Sequence, residues 1–161
     1  MIAGRPMTEL DAAGFWERFG RIEHEQLEFK VSANNLREVI PAMAMTRGGH
    51  IILGVTDDRL LVGCPLNQRT LDAIMRRARE SGVDVDVQTL LVDGRRLTVV
   101  TVPEVTDRIV TTSDGRVLRR VGSDNVPLRG DELARLVRRR RRALLRKLPM
   151  WRTQPQAVKP C

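Results

Sequence analysis

The residues best suited to binding a charged partner lie near the end of the 161-residue sequence. Five consecutive arginines occupy positions 138–142, and Arg146 and Lys147 follow them. Arginine makes bidentate hydrogen bonds to phosphate, and a run of cations releases counterions when it binds a nucleic-acid backbone. From Leu133 onward there are ten basic residues and no acid, so with a net charge of +8 the first 132 residues carry −2. We therefore expect a near-neutral body with a cationic C-terminal arm.

A second group of arginines surrounds the last predicted hairpin and, with the arm, would line a groove. Aromatic residues make up only 3% of the chain and tyrosine is absent, so stacking of bases on an aromatic platform is not expected. Binding should instead use backbone shape and phosphate contacts, as for folded RNA, duplex RNA or DNA. The candidate nucleic-acid-binding residues are Lys30, Arg116, Arg119, Arg120, Arg138, Arg139, Arg140, Arg141, Arg142, Arg146 and Lys147, with Arg129 beside the hairpin.

The basic arm also has three other interpretations. It is compatible with a solvated helix end whose cations suit the C-terminal dipole. An amphipathic helix on a membrane surface is disfavoured because Arg140 and Arg141 interrupt the apolar stripe. The third interpretation is that the chain is an accessory protein whose arm binds an acidic protein. Nucleic acid is the partner that the charge pattern favours.

The first half of the chain must position these groups. Thr8 is expected to cap a helix that carries Phe15, Trp16 and Phe19 and ends at Gly20. The pattern predicts a strand at 27–31, a helix at 36–45, a central buried strand at 50–56 and a hairpin partner for it at 60–63.

The second half begins with a helix that starts at Asn67 or Thr70 and ends at Gly82. Two hairpins are predicted next, one joining 83–92 to 96–102 through Asp93-Gly94 and one joining 109–112 to 117–121 through Asp114-Gly115. A last helix should run from Asp131 to about Leu148. This order predicts an α+β single domain with a mixed, mostly antiparallel sheet and no internal repeat.

Four blocks of sequence resemble those of a known family. Residues 23–30 read EHEQLEFK, residues 42–49 read AMAMTRGG, residues 52–58 read ILGVTDD and residues 120–123 read RVGS. In order and spacing these blocks are similar to the Glu-x4-Glu-Phe-Lys, Ala-Phe-Ala-Asn-Thr-x-Gly-Gly, Ile-Gly-Val-x-Asp and Arg-x-Gly-Ser blocks of the Schlafen AlbA-type domain. Met43 and Met45 stand where the family usually has Phe and Asn, and the proline before the final hairpin has no counterpart near Ile109.

The resemblance implies nucleic-acid binding and, in the Schlafen branch, a divalent-metal-dependent endoribonuclease acting on tRNA and rRNA. The family's three acids would be Glu23, Glu28 and Asp57, which would hold Mg²⁺ or Mn²⁺. Glu23 and Glu28 are five residues apart, so both reach one metal only if the chain bends between them. Asp57 is equally typical of a turn, and Glu28 of an acid paired to a neighbour in the sheet.

Two functions of different class therefore remain open. The first is a metal-dependent endoribonuclease on structured RNA, and the second is a non-catalytic DNA- or RNA-binding module with a regulatory role. Some family members are described as ATP-binding, but this sequence has no G-x-x-x-x-G-K-[ST] loop, so no ATP site is expected.

The chain divides into an N-terminal helical segment (1–22), the Schlafen AlbA-like domain (23–130), the basic helix (131–148) and a flexible tail (149–161). Only Cys64 and Cys161 are present, outside any Cys/His cluster, so zinc is not expected. No apolar run approaches the roughly 18 residues of a membrane span, and no secretion signal is evident, which predicts a cytoplasmic protein without membrane contact.

Homodimerisation is also expected, because larger Schlafen proteins build their nucleic-acid cradle from two related lobes and this chain matches one. Phe15, Trp16 and Phe19 are candidate interface anchors, the alternative being that they simply cover the sheet.

Overall fold

The computed structural model describes residues 8–148, so the predicted tail at 149–161 lies outside the described residues. The elements are β1 (Thr8–Leu10), α1 (Ala12–Phe19), β2 (Leu27–Lys30), a 3₁₀ turn (Ala33–Asn35), α2 (Val39–Thr46), β3 (Gly49–Leu53), α3 (Gln68–Ser81), β4 (Asp86–Val92), β5 (Arg95–Val102), β6 (Leu118–Val121), β7 (Asp124–Pro127) and α4 (Gly130–Lys147).

Five strands form one mixed sheet in the order β1-β4-β5-β3-β2. The outer pairs β1–β4 and β2–β3 are parallel, whereas β5 is antiparallel to both β3 and β4. β6 and β7 form a separate antiparallel hairpin. The α+β class and the mixed sheet predicted from the sequence are confirmed.

The sheet is covered on both faces, which explains the run of buried apolar residues 51–53 in β3. Ile51 and Leu53 point into a core formed with α2 and α3, while Ile52 points into a second core formed with α1. Successive side chains of a strand alternate between faces, so a strand covered on both sides is predominantly apolar. Phe15 of α1 is fully buried in the second core, and Trp16 and Phe19 pack against it. The three aromatic residues therefore cover the sheet.

Two glycines of the family blocks are required by close backbone contacts. A Cβ on Gly49 would lie 2.2 Å from the Gln26 carbonyl oxygen, and one on Gly54 would lie 2.6 Å from the Cys64 nitrogen. Both residues also have positive φ, 144° and 104°. Any side chain at Gly49 would push β2 and β3 apart where their pairing begins.

The N-terminal half differs from the sequence prediction in three places. Thr8 belongs to β1, which pairs with β4, and the helix begins later with Asp11 as its N-cap. A 3₁₀ turn precedes α2, so that helix starts at Val39 rather than at 36. Residues 60–63 contribute only an isolated bridge between Val55 and Leu61.

The second predicted hairpin is wrong in its pairing. A tight turn does form around Asp114-Gly115, closed by hydrogen bonds between Thr112 and Arg116, but its flanks do not make a ladder. β6 instead turns at Gly122, which has a φ of 60°, and pairs with β7. The sequence DNVP of β7 has low strand propensity, so its pairing depends on tertiary contacts.

Candidate functional site

The basic helix α4 is fixed to the body along one side. Leu136 is buried in the core that the sheet forms with α2 and α3, and Leu133 packs against the same core. Near the other end, Lys147 Nζ lies 3.0 Å from Asp107 Oδ2, and this contact lowers the pKa of Asp107. Asp131 and Glu132 lie in the first turn and Lys147 in the last, as the helix dipole favours.

Packing of α4 against the body divides its arginines into one buried residue, Arg140, and a group of exposed residues. Arg140 is 7% exposed, and its Nε has no hydrogen-bond partner within residues 8–148. Burial lowers the pKa of Arg140, as does neighbouring Arg139, whereas Glu104 and Asp107 raise it. Contact between Arg140 and a phosphate, which the sequence suggested, would therefore require this part of the helix to move.

The outer group of α4 forms one continuous cationic face. Arg135, Arg138, Arg139, Arg142 and Arg146 are exposed and, with Ala143, line a cavity of about 430 Å³. Their spacing of three or four residues places them on one side of a helix. No ion pair among the described residues neutralises any of the five. We call this surface the α4 face. Arg141 is also exposed but does not line the cavity.

Arg135 was absent from the residues selected by sequence. Arg135 precedes Arg138 by three residues and Arg142 by seven. This helical spacing places the three on one face and could have identified Arg135 from the sequence.

Two arginines near the β6–β7 hairpin are engaged by acids. Arg119 Nη1 lies 2.8 Å from Glu132 Oε1, which joins β6 to α4. Arg116 pairs with Glu38 at 2.6 Å and with Asp114 at 2.9 Å. These contacts raise the pKa of Arg116, and hydrogen bonds from Thr112 and Arg116 lower that of Asp114 to about 2.

Glu28 and Arg120 form a buried network on the α2 side of the sheet. Glu28 is 5% exposed and lies 2.8 Å from both Arg120 Nη1 and Lys30 Nζ. Arg120 also donates to the His24 carbonyl at 3.0 Å and to Asn125 Oδ1 at 3.1 Å. This network joins the β6–β7 hairpin to β2, so Lys30 and Arg120, both selected as phosphate ligands, have internal partners.

Glu23 makes its contacts on the other side of β2. Its Oε1 accepts a hydrogen bond of 3.0 Å from the Phe29 amide, and its Oε2 lies 3.8 Å from Arg59 Nη2. The Arg59 guanidinium also stacks over the Phe29 ring at 4.9 Å and donates to the Asp57 backbone carbonyl. Asp57 itself is exposed in the turn that follows β3.

The three acids do not fit a metal in this arrangement. Glu28 is held by two cations on one face of β2, whereas Glu23 is bound to the Phe29 amide and to Arg59. Within residues 8–148 no three His, Cys, Asp or Glu side chains form a group that could hold a metal ion. The chain does bend between Glu23 and Glu28, as expected. The two carboxylates nevertheless lie on different sides of β2 and are bound by different residues.

The family model described as "Schlafen, AlbA_2" matches residues 23–129. This chain belongs to that family. The match agrees with the four sequence blocks between Glu23 and Ser123, and the resemblance predicted from them is confirmed. Membership of the Schlafen AlbA_2 family indicates a nucleic-acid-binding domain.

Two solved structures share the fold. The DIP2311 protein from Corynebacterium diphtheriae has a TM-score of 0.55 and 21% identity, over 65% of this chain and 25% of that chain. This chain therefore spans about a quarter of that protein's length. The N-terminal domain of a RecG-related protein from Nitrosomonas europaea has a TM-score of 0.51 and 21% identity, over 73% of this chain and 92% of that domain.

The search of curated proteins found no match. In the part of the chain that the structure describes, every helix is too short or too polar to span a lipid bilayer.

Proposed function

We propose that the chain is a non-catalytic nucleic-acid-binding module that holds phosphates along the α4 face. The observation that supports this most directly is the sorting of the arginine run. Of the seven arginines of α4, Arg140 is buried and five are exposed on one face of a helix that packs on the core through Leu133 and Leu136 and pairs with Asp107 near its C-terminal end. A helix that served only as a solvated terminus would not need this docking.

The dimensions of the α4 face suit a nucleic-acid backbone. Arg135 and Arg146 are separated by eleven residues, or about 16 Å along a helix that rises 1.5 Å per residue. Phosphates of one duplex strand recur about every 3.4 Å along the axis, so the face corresponds to roughly five of them. Each arginine offers a fork of donors that fits phosphate bidentately.

RNA is the preferred partner in this proposal, on the strength of the family resemblance, and DNA is the alternative. Both would meet the same cations, because phosphate contacts carry no sequence information. The experiment must therefore compare the two polymers with matched sequences.

A metal-dependent endoribonuclease is the second candidate function. Its support is the presence of Glu23, Glu28 and Asp57 at the positions that match the family's acids. For Glu28 to bind a metal, it would first have to release Arg120 and Lys30. The binding module is preferred because it requires no such rearrangement.

The test measures binding of a duplex RNA and of a duplex DNA of the same sequence by the full chain and by two triple variants. Arg138→Ala/Arg142→Ala/Arg146→Ala removes charge from the α4 face. Arg69→Ala/Arg76→Ala/Arg79→Ala removes the same charge from α3, where Asp72 and Glu80 lie beside Arg76 and Arg79. We expect the first variant to lose binding and the second to retain it. Equal loss in both variants would overturn the assignment to α4.

The same preparations, incubated with tRNA and Mn²⁺, separate the two candidate functions. The binding module leaves the tRNA intact. Cleavage that is abolished both by Glu28→Gln and by Asp57→Asn, at an exposed acid, in variants that thermal unfolding shows to be folded, would replace the proposal with the endoribonuclease.

Homodimerisation is a separate part of the proposal. Phe15, Trp16 and Phe19 cover the sheet of their own chain, so a two-fold interface would have to use other surfaces. Light scattering of the free protein and of its nucleic-acid complex measures the mass directly. A monomeric mass in both would exclude the dimer.

A further inference from the structure

A second cavity adjoins the α4 face. It measures about 400 Å³ and lies between the first half of α4, the end of α2 and the β6–β7 hairpin. Sites for small molecules commonly range from roughly 300 to 1,000 Å³, so a nucleotide is within its capacity. We call it the hairpin cavity.

The hairpin cavity combines an apolar floor with a cationic rim. Met45, Leu128 and Leu136 line it and are only 6–8% exposed. Arg119, Arg135 and Arg139 line it as well, and all three are exposed. Glu132, the one acid in the lining, is paired with Arg119, so the three guanidinium groups leave an excess of positive charge.

This lining indicates the chemical class of the ligand. A free phosphate would use the rim but not the floor, and an apolar molecule would use the floor but not the rim. A nucleotide uses both, because its base has apolar faces and its phosphate is anionic. Guanidinium planes can stack on bases where aromatic side chains are absent, as they are in this cavity.

The cavity is continuous with the proposed binding surface. Arg135 and Arg139 line both the hairpin cavity and the groove of the α4 face. A strand whose phosphates follow α4 would therefore bring its next nucleotide to the cavity mouth. A base that is stacked and paired inside a duplex cannot enter, so only an unpaired nucleotide qualifies.

A third cavity, also about 400 Å³, is less suitable. It is lined by Lys30, Arg37 and Arg77, among others. Each of these cations has a carboxylate partner: Glu28 for Lys30, Asp114 for Arg37 and Glu80 for Arg77. Its attraction for an anion is therefore largely neutralised.

We propose that the hairpin cavity binds one unpaired nucleotide of the nucleic acid held on the α4 face. This inference rests on the proposed function, and it specifies the substrate class as a nucleic acid with an extrahelical or single-stranded nucleotide. Met45, which replaces the family's usual Asn, supplies apolar surface to the floor.

The test compares two RNA hairpins that differ only by one bulged nucleotide in the stem. The full chain should bind the bulged hairpin about tenfold more tightly than the paired one, within the range expected for one stacked base. Arg119→Gln/Glu132→Gln alters the cavity without changing net charge and should abolish this preference. Arg142→Gln, which touches the α4 face only, should weaken both complexes equally.

A second variant tests the apolar floor. Leu128→Phe fills the floor and should also remove the preference, with thermal unfolding used to verify that the variant is folded. Equal affinity of the wild-type chain for both hairpins would overturn the cavity proposal and leave the proposed function standing. Binding of neither hairpin would overturn both.

Discussion

Glu28 and Arg120 are 92 positions apart in the sequence, yet their side chains form an ion pair of 2.8 Å in which Arg120 is fully buried. The pair connects the edge strand β2 to the β6–β7 hairpin. The same arginine donates to the carbonyl groups of His24, which precedes β2, and of Leu27, the first residue of β2. An acid that the family resemblance assigned to metal binding thus has a structural partner. Whether it also has a catalytic role is decided by the cleavage test above.

Breaking this pair should strongly destabilise the fold. Arg120→Ala leaves Glu28 buried with only Lys30 as a partner, and removal of one member of a buried pair typically costs about 3–5 kcal/mol. Urea unfolding of the single variants and of the Glu28→Gln/Arg120→Met double variant measures the cost. The double variant should be more stable than the sum of the single effects implies. Simple additivity would show that the two residues are not coupled.

Glu23 should act as a hydrogen-bond acceptor for the backbone of β2. Glu23→Ala removes the acceptor of the Phe29 amide and should cost about 1–2 kcal/mol, whereas Glu23→Gln keeps an oxygen there and should cost less. Chemical denaturation compares the variants. A Gln variant as unstable as the Ala variant would indicate that the carboxylate charge, rather than the hydrogen bond, is what matters.

The α4 face should determine the salt dependence of binding. Each phosphate contact that is lost should reduce the slope of log K against log salt by about 0.7–0.9. Arg138→Ala/Arg142→Ala should therefore flatten the slope, while Arg140→Met, at the buried position, should leave it nearly unchanged. Fluorescence anisotropy titrations at several salt concentrations provide the slopes. A larger change of slope from Arg140→Met than from Arg138→Ala/Arg142→Ala would contradict the assignment of phosphate contacts to the exposed arginines.

Stability should decline as the solution becomes mildly acidic. Burial, and to a smaller extent Arg18, lowers the folded-state pKa of His50 below its usual 6.5, so the unfolded chain binds the proton more readily. The stability that neutral His50 contributes is fully present above its pKa in the unfolded chain. It is lost as the pH falls through the lower pKa of His50 in the folded protein. His50→Gln should therefore flatten the decline in unfolding free energy as the pH falls below the usual histidine pKa of 6.5. An identical pH profile in the variant would exclude His50 as the cause.

Gly49→Ala should prevent proper pairing of β2 with β3. The new Cβ would meet backbone atoms of Gln26, which cannot move away as a flexible side chain could. Gly82→Ala provides the control, because it also has a positive φ but has open space around its Cα. Thermal unfolding should show a much larger loss for Gly49→Ala, and equal losses would indicate that φ alone sets the cost.

Elements governed by local chemistry were predictable from the sequence. α3 begins after Asn67 and ends at Gly82, because an Asn side chain caps the first turn and a glycine adopts the left-handed conformation at the end. The β4–β5 hairpin turns at Asp93-Gly94, where both residues have positive φ as that turn requires. The family blocks and the excess of cations near the C-terminus were equally evident.

Features that depend on distant partners were decided only by the tertiary structure. Thr8–Leu10 is a strand because β4 is beside it, and DNVP pairs as β7 although its own strand propensity is low. The sequence 138–142 shows five equivalent arginines, but docking of α4 buries Arg140 and leaves the others exposed. Likewise, the sequence identified Glu28 as an acid of interest without revealing Arg120 as its partner. Local patterns record the preferences of neighbouring residues, whereas burial and ion pairing depend on which surfaces the completed fold brings together.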